Sequence, residues 1–243
     1  MKPILLIDID DTLLVFRMVP GICHSTSSLA TVIRRYAVEE RGMPEAESMA
    51  RMEAVQARIK WWSWSDFLEE FHFEPGPFWE YAREVESHYL IPAEPGLPET
   101  LKRLREAGCS LYITSNNPED GIRHKLRLAG ISRPEELFDG FFSATRLRAM
   151  KAEVGYWQKV IEAIGAPLEQ LCPVGDNPDD DCRIPARAGI RNSFLLRPRN
   201  SSQRLPAGCR VAESFRAVEE YLRGAPASGT GKIPCIGDKR LSE

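Results

Sequence analysis

Apolar residues at positions 4–7 form a short uninterrupted run, and acidic residues follow it at once. Four apolar residues in a row predict a strand that is buried on both faces, as the strands of a parallel sheet are. Between positions 20 and 90 the apolar residues recur at helical spacing instead, for example at Leu29, Val32 and Tyr36. That stretch therefore predicts a block of helices with no strand among them.

Beyond position 92, strand and helix patterns alternate along the chain. Apolar runs predict strands over residues 110–114, 141–142, 171–174 and 193–196. Helical spacing predicts helices between these strands and a last helix that includes Phe215, Val218 and Leu222. Alternating strands and helices form right-handed βαβ units. The predicted fold class is therefore α/β, a doubly wound, Rossmann-like parallel sheet with an inserted helical block.

The same patterns divide the chain into three parts. Residues 1–16 and 92–224 carry the strand pattern, and we predict that they form one α/β core. We predict that residues 17–91 form an α-helical insertion between the first and second strands of that sheet. Residues 225–243 are rich in Gly, Ser and Pro and lack periodicity, which predicts a disordered tail.

Composition narrows the classes of function. The chain has 243 residues, of which 43% are hydrophobic and 28% charged, so it is neither disordered nor fibrous. A formal net charge of −3 and the lack of clustered Lys and Arg argue against a nucleic-acid partner. No apolar run reaches the roughly 20 residues of a membrane span, so we expect no membrane partner and a cytoplasmic location.

The cysteines show no spacing that is typical of a metal site or a disulfide framework. They are Cys23, Cys109, Cys172, Cys182, Cys209 and Cys235. We therefore expect reduced thiols, as in a cytosolic protein.

Polar side chains follow four of the predicted strands, at the end of a parallel sheet where sites form. In chain order they are Asp8, Asp10, Asp11 and Thr12; Ser115, Asn116 and Asn117; Lys151, which opens the next predicted helix; and Asp176, Asp179, Asp180 and Asp181. Taken singly, most of these groups are as typical of turns and solvated surfaces as of sites. The first acidic group is different, because three carboxylates beside a buried strand repel one another and need a cation or a shared proton.

Asp8 and Asp10 are two residues apart, so both side chains point the same way in an extended chain. We expect them to converge with Asp176, Asp180 and Asp181 at one end of the sheet. An anionic, all-oxygen site with a lysine and a serine nearby suits Mg²⁺ together with a phosphoryl group. The residues therefore predict a Mg²⁺ cofactor and a phosphate-bearing substrate.

As an ordered set, these residues resemble the motifs of the haloacid dehalogenase (HAD) superfamily of phosphohydrolases. The four motifs are matched in order by Asp8, Asp10 and Thr12; by Ser115; by Lys151; and by Gly175, Asp176 and either Asp180 or Asp181. The long interval after the first motif is similar to that of family members with a helical cap inserted there. The resemblance therefore implies that residues 17–91 are an α-helical cap on a HAD core.

The resemblance also implies a mechanism. Asp8 would attack phosphorus and form an aspartyl-phosphate, while Asp10 would protonate the leaving oxygen and later take a proton from water. Ser115 and Lys151 would hold the phosphoryl oxygens and neutralise their charge. The implied activity is Mg²⁺-dependent hydrolysis of a small-molecule phosphate monoester.

Further implied contacts concern the substrate and the metal. Thr12 and Asn116 stand beside the catalytic residues and are the predicted substrate-binding positions. The implied metal shell comprises Asp8, the Asp10 backbone carbonyl, Asp176, and either Asp180 or Asp181, both of which fit the spacing of the motif.

Other functions use the same fold. A phosphomutase or phosphotransferase would return the phosphoryl group to a sugar, and a non-catalytic HAD-like binding protein would not turn over substrate. The mutually repelling acids argue against a binding protein. Dehalogenases and phosphonate-cleaving relatives lack an acid at the position of Asp10, so this residue favours phosphate esters.

Two assignments keep alternatives. Lys151 is not followed by the Pro-rich stretch of many relatives, so Lys125 and Arg148 are further candidates for the third motif. The tryptophans at positions 61, 62 and 64 either pack the cap helices or line the cap surface and stack on the substrate. Nothing in the sequence indicates the oligomeric state or which ester is bound.

Overall fold

The computed structural model of the chain describes residues 2–16, 29–58, 64–197 and 204–224. Several predictions concern residues outside these ranges: Trp61 and Trp62 in the tryptophan cluster, and the predicted disordered tail, residues 225–243. Trp64 is the first residue of a helix.

Six strands of the described chain form one parallel sheet around the N-terminal strand. The strands of the described residues, including β2 and β3 outside this sheet, are in chain order β1 (Ile4–Ile7), β2 (Leu14–Phe16), β3 (Leu90–Pro92), β4 (Ser110–Ser115), β5 (Gly140–Ser143), β6 (Leu171–Gly175), β7 (Ser193–Leu196) and β8 (Cys209–Ala212). The sheet order is β5-β4-β1-β6-β7-β8, and all five pairings are parallel. In the centre, Ile7 lies opposite Ile113 on one side and Val174 on the other.

Helices connect these strands and fill the predicted helical block. In chain order they are α1 (Leu29–Glu39), α2 (Glu45–Arg58), α3 (Trp64–Glu70), α4 (Pro75–Ser87), α5 (Leu97–Glu106), α6 (Glu119–Leu128), α7 (Pro134–Leu137), α8 (Ala144–Leu147), α9 (Val154–Ile164), α10 (Ile184–Arg187) and α11 (Phe215–Leu222). A π-helical turn, Asp179–Arg183, leads into α10. The predicted α/β class, with a parallel sheet and helices between its strands, is confirmed.

Both faces of the sheet are packed, as the apolar run at its N-terminal strand predicts. Leu5 and Ile7 belong to a large apolar cluster that extends into the helical block. Ile4 and Leu6 point to the opposite face, because side chains alternate along a strand, and they pack in a second cluster that includes Trp157. All four residues of β1 are buried, so this strand is fixed by contacts on both faces and along both edges.

A two-stranded ribbon joins the core to the helical block. Strand β2 leaves the core and β3 returns to it, and the two pair antiparallel with Leu14 opposite Pro92 and Phe16 opposite Leu90. The helical pattern does not predict this ribbon. Three residues per strand are too few to show a periodicity of two against a helical background.

Two further details of the core differ from the sequence prediction. Strand β8 extends the sheet beyond β7, and its mixed burial, with Val211 53% exposed, gives no clear strand pattern. Lys151 does not open the helix after β5, because the short α8 intervenes and α9 begins only at Val154. Among the described residues, none of the helices combines the length and apolar character that crossing a membrane requires.

Candidate active site

The predicted motifs meet where three neighbouring strands end. Strand β1 is followed by Asp8, whose backbone N–H donates to the carbonyl of Val174 on β6 at 2.9 Å. Ser115 is the last residue of β4, and Asp176 directly follows the last residue of β6. Because β1 lies between β4 and β6, these three residues occupy one edge of the sheet.

Three carboxylates and one ammonium form the centre of this edge. Asp8, Asp176 and Asp181 each present a carboxylate oxygen, and the three oxygens lie within 4.8 Å of one another. The Nζ atom of Lys151 lies 2.7 Å from Oδ1 of Asp8 and 2.6 Å from Oδ1 of Asp181. One ammonium facing three carboxylates leaves an excess of negative charge, which suits a hard cation with oxygen ligands.

The backbone of Lys151 is fixed on both sides. Its N–H donates to Oδ1 of Asn116 at 2.9 Å, and its carbonyl accepts from the indole Nε1 of Trp157 at 2.9 Å. Trp157 belongs to α9 and is completely buried, while Asn116 follows β4. The backbone of Lys151 is therefore held between the exit of β4 and the first turns of α9.

Burial and charge shift the pKa values of these groups. Burial raises the pKa of Asp8 well above its usual value; the Lys151 ammonium opposes this, and the nearby carboxylates reinforce it. Burial and the charge of Asp181 raise the pKa of Asp176 to about 7. Burial alone would lower the pKa of Lys151, but Asp181 and Asp8 outweigh it and raise that pKa. Without a bound cation, the acids therefore resist full ionisation.

The π-helical turn brings Asp181, and not Asp180, into the carboxylate trio. Asp181 is fully buried, and its Oδ2 accepts from the backbone N–H of Asn177 at 3.0 Å. Asp180 is partly exposed and lies outside the trio. A Cβ atom at Gly175 would lie 2.1 Å from Cγ of Asp181, so the glycine leaves the space that this carboxylate fills.

Asp10 lies apart from the trio, in its own set of hydrogen bonds. Its Oδ1 accepts from Nζ of Lys125 at 2.5 Å, and its Oδ2 accepts from Nδ2 of Asn117 at 2.6 Å. Partial burial raises the pKa of Asp10, but the charge and hydrogen bond of Lys125 outweigh it and hold the pKa below its usual value. The Asp10 side chain is 48% exposed, so it remains accessible from solvent.

The remaining predicted residues differ in their surroundings. The Oγ atom of Ser115 accepts from Nδ2 of Asn117 at 2.9 Å and from the backbone N–H of the same residue at 3.1 Å. Thr12 is completely buried, and its hydroxyl has no hydrogen-bond partner among the residues described. Of the candidates for the third motif, Lys151 contacts Asp8, Lys125 contacts Asp10, and Arg148 is exposed after α8.

One buried contact next to the site has no counterpart in the sequence prediction. Nε2 of His124 on α6 lies 2.5 Å from Oε2 of Glu86 on α4, and both side chains are at most 3% exposed. His124 precedes Lys125, the residue that contacts Asp10. The sequence indicates no partner for His124, because the two residues are 38 positions apart and no local pattern joins them.

Comparisons with known proteins give the family. Residues 3–189 match the haloacid dehalogenase-like hydrolases. Among curated proteins, the pyrophosphatase PpaX of Halalkalibacterium halodurans is 29% identical over 102 residues, which is 41% of this chain and 46% of that protein. The match thus spans slightly less than half the length of this relative.

Solved structures share the fold over nearly their whole length. A HAD phosphatase from Thermococcus onnurineus superposes with a TM-score of 0.64 at 21% identity, covering 93% of this chain and 99% of that one. A 2-haloacid dehalogenase from Pseudomonas syringae pv. Tomato DC3000 gives 0.62 at 19% identity, with 92% and 99% covered. The family match confirms the resemblance seen in the sequence, and the chain belongs to the family of haloacid dehalogenase-like hydrolases.

Proposed function

We propose that this hydrolase is a Mg²⁺-dependent phosphatase that acts on a small-molecule phosphate monoester. The observation that carries the proposal is the trio of Asp8, Asp176 and Asp181, in which the Lys151 ammonium contacts the buried carboxylates of Asp8 and Asp181. The presence of Asp10 two residues after Asp8 favours phosphate esters over carbon–halogen bonds, because a leaving alkoxide needs a proton and a leaving halide does not. A phosphatase and a pyrophosphatase among the similar proteins agree with this chemistry.

The donor set fits magnesium. All three candidate ligands are carboxylates, their oxygens lie within 4.8 Å of one another, and Lys151 neutralises them only in part. Carboxylate oxygens are the ligands that Mg²⁺ takes from proteins, together with water and substrate phosphate. A bound Mg²⁺ would supply the positive charge that keeps Asp8 ionised and offsets the charge on the phosphoryl oxygens.

Asp8 is the proposed nucleophile. One of its carboxylate oxygens forms a bond to phosphorus while the bond from phosphorus to the ester oxygen breaks, which gives an aspartyl-phosphate and an alcohol. Lys151 lies 2.7 Å from the Asp8 carboxylate, so its ammonium is close enough to stabilise charge on the transferred phosphoryl group. Ser115 and Asn116, at the exit of β4, are the proposed further contacts to that group. Thr12 is the other proposed substrate-binding residue, and its side chain is completely buried.

Asp10 is the proposed proton carrier. As an acid it donates a proton to the leaving oxygen, and as a base it takes a proton from the water that hydrolyses the aspartyl-phosphate. Lys125 and Asn117 occupy both of its carboxylate oxygens and hold it ionised, which is the form needed for the second step. In the first step, the carboxyl oxygen that carries the proton has to donate it to the leaving oxygen instead of accepting from Lys125 or Asn117.

The helices α1 to α4 are the proposed cap. They follow the first motif and connect to the core through the β2–β3 ribbon, and α4 contacts α6 through Glu86 and His124. Opening and closing of such a block excludes water and selects the leaving group. We propose domain boundaries of 1–16 and 92–224 for the core and 17–91 for the cap.

The test is phosphate release from a panel of phosphate monoesters with Mg²⁺, for the wild type and for Asp8→Asn. We expect the wild type to release phosphate and Asp8→Asn to be slower by at least about 1000-fold, because the nucleophile is removed. Asp120→Asn is the matched control, since Asp120 is an exposed acid in the first turn of α6. Equal rates for Asp8→Asn and the wild type would contradict the proposed nucleophile.

Product analysis separates the alternative reactions. Free phosphate and the alcohol identify a phosphatase, a phosphate group moved to another sugar position identifies a phosphomutase, and halide release from a 2-haloacid identifies a dehalogenase. When Mg²⁺ is left out and excess EDTA is added, phosphate release should stop. A full rate under these conditions would contradict the proposed cofactor.

A further inference from the structure

Two cysteines that are distant in sequence meet beside the acidic trio. The Sγ atoms of Cys182 and Cys209 lie 2.8 Å apart, and both residues are free thiols. A disulfide bond is about 2.05 Å long, so less than about 1 Å separates this contact from covalent bonding. Among the described residues, the two other cysteines, Cys109 and Cys172, are buried and have no sulfur atom within hydrogen-bond distance.

The positions of the two thiols differ in a way that suits stepwise oxidation. Cys182 lies in the π-helical turn and is 1% exposed. Cys209 begins β8, the strand at the edge of the sheet, and is partly exposed. A reagent from solvent therefore reaches Cys209 first. The hydrogen bond from Cys182 also lowers the pKa of Cys209, against the opposing effect of burial, which favours the reactive thiolate.

We propose that Cys182 and Cys209 form a redox-active dithiol, which low-molecular-weight disulfides oxidise to an intramolecular disulfide next to the active site. In the first step, the sulfur of Cys209 attacks a sulfur of the small disulfide, which forms a mixed disulfide and releases one small thiol. In the second step, the sulfur of Cys182 attacks Cys209 Sγ and releases the second small thiol. The protein loses two electrons and two protons, and the small disulfide gains both.

The bond has a consequence for the site because Cys182 follows Asp181 directly. The Asp181 carboxylate lies 2.6 Å from Lys151 and fills the space over Gly175, where a Cβ atom would be only 2.1 Å away. A carboxylate packed this closely has no room to follow a displacement of its neighbour. Oxidation should therefore disturb the trio and slow the reaction, an effect that rests on the proposed function.

The bond itself is tested without any measurement of activity. The full chain is incubated with oxidised glutathione, alkylated, digested without reductant and analysed by mass spectrometry. We expect a linked peptide pair containing Cys182 and Cys209, a mass loss of two hydrogen atoms, and reversal by dithiothreitol. Cys109→Ser should still form the bond, and Cys209→Ser should not. A linkage to any other cysteine, or a stable glutathione adduct on Cys209 alone, would overturn the proposal.

The effect on the site is tested with the same oxidised sample. We expect phosphate release to fall about tenfold or more on oxidation, since displacements of about 1 Å at an active site cost up to about 100-fold. Cys209→Ser should keep its rate in oxidised glutathione. An unchanged rate in the linked wild type would overturn the coupling, whereas inactivity of the reduced wild type would contradict only the proposed phosphatase function, because the linkage is scored by mass.

Discussion

Gly175 leaves the space that the Asp181 carboxylate needs at the centre of the site. Gly175 ends β6, and its missing side chain leaves the volume that the Asp181 carboxylate occupies. This contact gives the Gly-Asp motif a physical reason: the glycine is needed for the later acid, not for an unusual backbone angle. The acid in turn reaches both Lys151 and the backbone N–H of Asn177. A methyl group at position 175 would therefore displace the Asp181 carboxylate and change the distances between the charged groups of the site.

Gly175→Ala should abolish most phosphate release and destabilise the protein by about 1–3 kcal/mol, because the new methyl overlaps the Asp181 carboxylate. Thermal unfolding and steady-state rates measure both effects. Gly155→Ala is the matched control: Gly155 lies in α9, and a Cβ atom added there would meet nothing within 4 Å, so alanine should be neutral or stabilising by about 0.5–1 kcal/mol. Equal behaviour of the two variants would contradict the steric argument.

The two adjacent acids of the π-helical turn should differ sharply. Asp181→Asn removes a buried charge that contacts Lys151, and we expect phosphate release to fall by about 100-fold. Asp180→Asn alters a partly exposed side chain outside the trio and should change the rate much less. Rates of both variants over a range of Mg²⁺ concentrations decide between the two acids that fit the family motif. A larger loss for Asp180→Asn would reverse the assignment.

Among the elements, the contact between α4 and α6 joins the helical block to the edge of the sheet that carries Asp8, Ser115 and Asp176. Oε2 of the buried Glu86 lies 2.5 Å from Nε2 of the buried His124. The next residue on α6, Lys125, forms an ion pair with Asp10. Helix α6 therefore carries a partner of the helical block and a partner of the proposed proton carrier in adjacent positions. A shift of α4 against α6 would be transmitted to Asp10.

His124→Ala leaves the Glu86 carboxylate buried without its partner, so we expect the free energy of unfolding to fall by about 1–3 kcal/mol. Urea unfolding measures this change. Arg133→Ala is the comparison variant, because it breaks an ion pair with Glu136 in which both side chains are more than half exposed. Exposed pairs of this kind contribute about 0–1 kcal/mol. A loss no larger than that of Arg133→Ala would show that the buried contact is not stabilising.

Elements with a long or strong pattern could be predicted, and short ones could not. Strands β1 and β7 have the predicted bounds, because an uninterrupted apolar run, Ile4–Ile7 in β1 and the Phe-Leu-Leu that follows Ser193 in β7, marks a strand buried on both faces. Strands β2 and β3 escape prediction since three residues carry no period. The four residues of α8 are likewise too few to show a helical period. The helix after β5 therefore starts later than predicted, and Lys151 lies in a loop rather than on a helix.

The candidate site divides in the same way. Because parallel strands end at one edge of the sheet, the sequence predicts that five acids converge near Lys151: Asp8, Asp10, Asp176, Asp180 and Asp181. Asp8, Asp176 and Asp181 do so, whereas Asp10 and Asp180 lie outside the trio. The sequence could not predict that Lys125 reaches Asp10, since the two residues are 115 positions apart and their contact depends on how α6 packs. The choice between Asp180 and Asp181 likewise depends on the turn geometry, because both fit the motif spacing.

The carboxylates of Asp8, Asp176 and Asp181 make the stability of the whole molecule depend on pH, because without a cation they repel one another. Burial and the carboxylates of Asp181 and Asp11 raise the pKa of Asp176 to about 7, against about 3.9 for an unfolded aspartate. The folded chain therefore binds a proton more tightly than the unfolded chain. The resulting stabilisation is complete below about pH 4 and is lost as the pH rises through about 7.

In EDTA, the midpoint temperature of thermal unfolding should therefore decrease as the pH is raised from 5 to 8. Mg²⁺ should raise this midpoint more at pH 8 than at pH 5, because protons compete with the cation for Asp176. Differential scanning calorimetry at fixed ionic strength measures both. Asp176→Asn removes the titrating group and should flatten the fall and shrink the Mg²⁺ effect. A midpoint that rises with pH in the wild type, or an unaltered slope in Asp176→Asn, would contradict this account.

The central place of β1 in the sheet has a consequence for the order of synthesis. Strand β1 is synthesised before both of its partners in the sheet: β4 comes about a hundred residues later, and β6 is later still. Until residues 171–175 emerge, the nascent chain exposes an unpaired parallel edge next to Asp8, a surface open to aggregation. The central strand pairs of the core therefore form only after β6 has been made, and Asp8, the proposed nucleophile, meets Asp176 and Asp181 only once about 170 further residues have been synthesised.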